Sequence, residues 1–233
     1  TPEQKIGDYF ASFMDESVIE AQGLKPIEAD LARIQAARTK QDIATLFGSP
    51  GFMSTFGVGI SPDLKNPSRY SVEIGQSGLG LPDRDYYLKD DAKLKEHRAR
   101  YVAFIEQMLT LGGVPDAASK ASGIMEFETA LAKVQWPLEK RRDAEANYNP
   151  RTKAQLVAYA PGFDWQAFFD AADVGARDNF VLGPLTAIRD SAKVLDKTSL
   201  STLKDYLTFH LLRTNAPFLP KRFDQANFAF YGQ

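Results

Sequence analysis

At 233 residues, with 44% hydrophobic and 25% charged residues, the chain has an ordinary globular composition and is long enough to bury a sizeable core. A formal net charge of -2 with no block of one sign lacks the concentrated basic footprint that nucleic acid requires, and no apolar run approaches bilayer length. With no cysteine and two histidines, His97 and His210, disulfides, thiolate metal sites and cysteine nucleophiles are excluded, and little material is left for zinc chemistry.

Ile6, Phe10, Phe13, Met14 and Ile19 recur near helical spacing and predict one helix from Pro2 to about Ala21. The polar opening Thr1-Pro-Glu-Gln-Lys5 is not a signal peptide and leaves export open. Pro26 suits the first turn of a second helix through Leu31, Ile34 and Ala37. Thr39 with Asp42 is a loose capping box before a short helix over 43–47, ended by Gly48-Ser-Pro-Gly51. The period then changes from 3.6 to 2. Strands are predicted near 56–61 and 69–74, a β-hairpin whose long tip runs from Ser61 to Ser68. Gly57 and Gly59 are positions where another backbone can pack close.

Beyond a glycine-rich loop the chain is helical again. Leu94, Tyr101, Phe104, Ile105, Met108 and Leu109 form one apolar stripe, ended by Gly112-Gly113. A second stripe runs through Ala121, Ile124, Phe127, Leu131 and Val134, between Pro115 and Pro137. A charged segment follows to Pro150. Thr152 and Gln155 form a capping box, Asp164 caps a helix over 165–172, Gly183-Pro184 opens one to about Leu195, and Ser199 caps the last strong helix, with Leu203, Leu207, His210 and Leu211 on one side. No repeat or linker divides the chain. The expected fold is mainly α, a helical domain with one small β-hairpin.

The chemical candidates are few. His97 has no second metal ligand within helical reach and reads as a surface or half-buried helical histidine. His210 lies on an apolar face and reads as a hydrogen-bonded core histidine. Gly75-x-x-Gly78-x-Gly80 has neither the Rossmann order nor a Walker lysine, so its glycines serve positive φ and close packing. Glu128 falls on the apolar side of its helix. A buried glutamate needs a cationic or hydrogen-bonding partner, and an arginine elsewhere in the chain is the simplest expectation. Arg142-Asp143, flanked by Glu139 and Glu145, reads as an arginine–carboxylate clamp fixing the irregular segment after it. Arg84, Asp85, Arg142 and Asp143 are therefore the candidate structural or cavity residues, since they flank irregular segments whose backbone groups need side-chain partners. At least one of their arginines is expected to make a bidentate carboxylate contact. No serine elbow or Ser/His/Asp set appears.

The most particular run is Gly75-Gln-Ser-Gly-Leu-Gly-Leu-Pro-Asp-Arg-Asp-Tyr-Tyr-Leu88. It closely resembles a signature of the neprilysin family of zinc metalloendopeptidases, in which Gly-Leu-Pro-x-Arg-Asp-Tyr-Tyr recurs in the non-catalytic helical domain. Asp15-Glu16, the stretch from Glu126-Phe-Glu128 to Tyr148-Asn149, and Asn227-Phe-Ala-Phe-Tyr-Gly232 extend the resemblance across nearly the whole chain. It implies a two-domain enzyme. One domain carries His-Glu-x-x-His and a downstream glutamate around a zinc that polarises the scissile carbonyl while the motif glutamate activates water. The helical domain closes over that site and encloses a cavity for peptides.

His-Glu-x-x-His is absent from these residues, so no catalytic residue, zinc ligand or substrate contact is carried onto a position here. The resemblance implies that the chain is the front part of the helical scaffold, starting after the family's first segment and stopping before the catalytic half. The expected cofactor is none in this chain and zinc in the complete parent. The expected partners are the catalytic half of the same protein and, through it, peptide substrates. The family setting implies a periplasmic or extracellular protein. Alone, the chain is expected to be inactive. The alternative is a standalone helical module that binds protein or peptide without catalysis.

Overall fold

The computed structural model describes residues 1–232. The apolar stripes become helices whose buried sides meet in one core. Helices α1 (Pro2–Met14), α2 (Glu16–Gln22), α3 (Glu28–Ala36) and α4 (Lys40–Gly48) open the chain. Strands β1 (Phe56–Asp63) and β2 (Asn66–Gln76) lead through the signature loop to α5 (Arg84–Leu88), α6 (Ala92–Leu111) and α7 (Ala117–Val134). There follow α8 (Leu138–Arg141), β3 (Asn149–Arg151), α9 (Lys153–Tyr159), α10 (Trp165–Ala171) and β4 (Phe180–Leu182), then α11 (Leu185–Lys197), α12 (Leu200–Asn215) and α13 (Lys221–Tyr231).

Helix α7 is central. Its buried side carries Ala121, Ile124, Phe127, Glu128, Leu131 and Ala132, and α5, α6, α11 and α12 pack around it. The capping boxes read from the sequence are both reciprocal: Thr39 with Asp42 opens α4, and Thr152 with Gln155 opens α9. An aromatic cluster joins the sheet to α10. Phe56 lies 4.6 Å from Trp165 between ring centroids, and Phe169 stacks on Phe180 at 4.6 Å. Among the described residues no helix is long and apolar enough to cross a membrane.

Four features depart from the sequence reading, the first being that a Cβ on Gly57 or Gly59 would meet nothing within 4 Å, so neither glycine serves a close approach. The expected single helix over 2–21 breaks at Asp15, whose carboxylate accepts a hydrogen bond from the Val18 amide at 3.1 Å and so starts a new helix. The hairpin tip is tight rather than long. The ladder continues to Asp63 opposite Asn66, because Asp63 Oδ1 accepts from the Lys65 and Asn66 amides at 3.0 and 3.1 Å and closes the turn locally. Finally, the hairpin belongs to a four-stranded sheet in the order β1-β2-β4-β3. β4 runs parallel to β2, with Val72 opposite Phe180, and β3 runs antiparallel to β4.

Candidate functional site

The signature loop after β2 is held from several helices, and nearly every polar group it presents inward finds a partner. Gln76 pairs with both backbone groups of Trp136: its Nε2 donates to the carbonyl at 3.0 Å, and its Oε1 accepts from the amide at 2.8 Å. Gln135 Nε2 donates to the Ser77 carbonyl at 2.7 Å. The Gly78 carbonyl accepts from the Tyr206 hydroxyl at 2.9 Å, and the Gly80 carbonyl from the Tyr231 hydroxyl at 2.8 Å. Glycine is required at two of these positions. Gly78 has φ +94°, and a Cβ on Gly80 would overlap the Tyr101 hydroxyl.

Beneath the loop lies Glu128, fully buried on α7. Its Oε2 accepts from the Gly80 amide at 3.1 Å, the Tyr87 hydroxyl at 2.5 Å and the Tyr101 hydroxyl at 3.0 Å. Its Oε1 accepts from His210 Nε2 at 2.8 Å. Tyr87 in turn accepts from the Leu81 amide at 2.8 Å. Glu128 thus acts purely as an acceptor, the hydrogen-bonding role of a carboxylate. Burial first, then the Glu128 charge, pushes the Tyr87 and Tyr101 hydroxyls well above the usual tyrosine range, so both remain donors. For His210 burial dominates and lowers its pKa, while the bond to Glu128 opposes the shift. A neutral imidazole with its proton on Nε2 fits this arrangement, and its buried Nδ1 has no partner among the described residues. The expected partner for Glu128 was an arginine. The observed set is a histidine, two tyrosines and a backbone amide, which satisfies the acceptor without a second buried full charge.

A second polar node pins the hairpin tip to the segment after α8. Asp63 is buried. Its Oδ2 accepts from Arg69 Nη2 at 2.8 Å and Nε at 3.1 Å, and its Oδ1 from the Tyr148 hydroxyl at 2.7 Å. The Tyr148 hydroxyl above all, with Arg69 and the two turn amides, outweighs burial and holds the Asp63 pKa at about 2. The sequence reading placed Asp63 among turn formers. Its acid–arginine spacing with Arg69 across a hairpin was the signal available.

The four candidate residues do not converge on one point. Arg84 Nε donates to the Ala132 carbonyl at 3.1 Å, tying α5 to α7, and its Nη1 stands 3.9 Å from Asp85. Asp85 pairs with Lys89 at 2.6 Å. Asp143 accepts from the Glu145 and Ala146 amides at 3.0 Å each, holding its own turn. Arg142 is exposed, and its amide closes the end of α8. The bidentate arginine–carboxylate fork occurs elsewhere: Arg189 Nε and Nη2 meet the two oxygens of Asp190 at 2.9 and 2.8 Å. The irregular segment is fixed largely by amide side chains. Asn147 Nδ2 donates to the Asp143 carbonyl at 2.6 Å, and Asn149 Nδ2 to the Leu182 carbonyl at 2.9 Å.

Above this segment an open groove of about 590 Å³ runs between the hairpin and the turn, lined by Gly57, Gly59, Gly75, Arg141, Asn147 and Tyr148 among others. The side chains present do not fit a catalytic zinc. Among the described residues no group of three or more His, Cys, Asp or Glu could hold a metal ion. His97 is exposed beside the Tyr86 ring, and His210 is occupied by Glu128.

The described residues thus form a helical body in which a buried carboxylate locks a glycine loop. Comparison with known proteins gives the class. The family model described as Peptidase family M13 matches residues 1–233, and the chain belongs to that family. It is 29% identical to endothelin-converting enzyme 1 of Rattus norvegicus over 98% of this chain and 32% of the relative. It is 32% identical to neprilysin-3 of Drosophila melanogaster over 96% of this chain and 32% of that protein. The solved structure of the Mycobacterium tuberculosis zinc metalloprotease Zmp1 with an inhibitor superposes with TM-score 0.93 at 34% identity, covering 100% of this chain and 36% of the other. PepO from Lactobacillus rhamnosis shares the fold, with TM-score 0.76 at 14% identity over 95% of this chain and 36% of that one. The chain therefore spans about a third of the length of the curated relatives it matches.

Proposed function

We propose that this chain is the non-catalytic N-terminal portion of a neprilysin-like zinc metalloendopeptidase, forming part of the wall of a peptide-holding cavity. The zinc, its ligands and the water-activating glutamate belong to the catalytic half of the same protein, and peptide hydrolysis takes place there. The observation that carries this reading is the family match over residues 1–233 in a chain whose one buried histidine is already committed to a glutamate. Arg84, Asp85, Arg142 and Asp143 have structural roles in it: Arg84 seats α5 against α7, Asp85 holds Lys89 within its own short helix, and the last two shape the turn that faces the groove. A loop bonded to rigid helices is suited to being a fixed wall rather than a moving catalytic element.

The test compares the full-length gene product with the 233-residue chain, by zinc content and by cleavage of a fluorogenic peptide. The full-length protein is expected to hold one zinc and to show chelator-sensitive cleavage, and the shorter chain to show neither. Stoichiometric zinc in the 233-residue chain, with cleavage lost in His97→Ala or His210→Ala, would overturn the reading.

A further inference from the structure

Helix α1 presents an apolar stripe that the described residues leave open. Ile6, Tyr9, Phe10 and Phe13 stand at i, i+3, i+4 and i+7, one face of a helix, and are 70%, 64%, 63% and 41% exposed. Met14, 57% exposed, continues the stripe. No residue of α1 is buried. Phe13 meets the body of the protein edge-on at Phe218, at 6.1 Å between centroids, and Phe218 is itself 51% exposed. Just beyond, α2 is fastened by polar contacts: Glu20 accepts from the Lys221 amide at 2.6 Å and pairs with Arg222 at 3.2 Å. The helix is thus held at its C-terminal end, with its largest side chains in water. A 13-residue helix is marginal in water without a packed face, and a contiguous apolar patch of this kind marks an interaction surface.

We propose that the stripe Ile6–Tyr9–Phe10–Phe13, with Phe218, is the seat of an apolar element from the part of the same polypeptide that lies outside this span. The inference rests on the proposed function and names a surface through which the scaffold joins the remainder of the enzyme. The occupant follows from length and charge. The chain accounts for 32% to 37% of the relatives it matches, so in a protein of their length about two thirds of the chain is tethered nearby, at high effective concentration. A lipid surface fits less well, because interfacial helices carry lysine and arginine on the polar face, whereas α1 offers Glu3 and Asp8 against Lys5.

The experiment places a photo-crosslinking phenylalanine analogue at position 10 of the full-length gene product and maps the cross-links by mass spectrometry. Hydrogen exchange over residues 2–14 is followed in parallel. The expected result is intramolecular cross-linking to residues beyond 233 and protected amides, with exchange rising about tenfold in Phe10→Glu but not in Phe10→Leu. Cross-links between two copies, or to phosphatidylglycerol vesicles, would overturn the assignment, as would rapid exchange with no cross-link. Zinc content and peptidase activity of the same preparation are read separately. An active zinc enzyme with α1 unprotected sinks the docking surface alone. A gene product without a zinc-bearing half sinks the proposed function, and this inference with it.

Discussion

His210 Nε2 on α12 lies 2.8 Å from Glu128 Oε1 on α7, across 82 residues of sequence, and both side chains are fully buried. Burial lowers the pKa of His210 below the ordinary histidine value of 6.5. The unfolded chain therefore binds a proton near pH 6.5 that the folded chain refuses. A depressed folded pKa supplies stability that is whole above the unfolded value and is lost as pH falls below it. The wild-type chain is expected to weaken progressively below about pH 6.5 in urea unfolding. His210→Gln, which keeps a donor for Glu128, should lose less stability over that window. Equal pH slopes for the two proteins would refute this.

Glu128→Ala leaves the Gly80 amide, two tyrosine hydroxyls and His210 without their acceptor. Loss of a buried, fully bonded carboxylate of this kind costs about 3–5 kcal/mol. The change should appear as a lowered urea midpoint and as faster hydrogen exchange at Gly80 and Leu81. A Glu128→Ala protein within about 1 kcal/mol of wild type would show that water replaces the carboxylate.

Gly80 and Gly57 make a matched pair. A Cβ at Gly80 would collide with the Tyr101 hydroxyl, whereas one at Gly57 meets nothing within 4 Å. Gly80→Ala is expected to destabilise by about 1–3 kcal/mol through forced displacement of Tyr101. Gly57→Ala should be neutral or slightly stabilising, since alanine loses less backbone freedom on folding. Thermal unfolding of the two variants decides the matter, and a reversed order would be inconsistent with the packing described.

Asp63 supplies an acid-side counterpart. Its pKa is held at about 2, below the ordinary aspartate value of 3.8, so its contribution is present above about pH 4 and disappears as pH falls toward 2. Asp63→Asn should be less stable than wild type at neutral pH, and the two stability curves should converge in acid. Tyr148→Phe removes the largest cause of the shift and should raise the Asp63 pKa, which is measurable by carboxyl carbon NMR.

Much of this fold is written locally. The capping boxes at Thr39 and Thr152, the stripes of α6 and α7 and the change of period at the hairpin depend on neighbours within a few residues, so the sequence displays them. The core position of His210 followed from its place between Leu207 and Leu211. What bonds to what did not. Glu128 and His210 each read as a buried polar residue needing a partner, yet nothing in periodicity connects two helices 82 residues apart. β3 and β4 are three residues each, too short for alternation to register, and exist because β2 offers an edge to β4 and β4 in turn offers one to β3. The break at Asp15 was masked because the apolar spacing continues across it while the carboxylate turns inward to its own backbone.

The locking of the signature loop also has a timetable. The loop's partner for the Gly78 carbonyl is Tyr206, 128 residues downstream, and ribosomes extend chains at about 5–20 residues per second. For roughly 6–26 s of synthesis the loop therefore exists without α12 to close over it. Contacts of such high sequence separation form late and slow the folding of the whole. The glycine run is thus an element that nascent chains carry open until their final helices arrive.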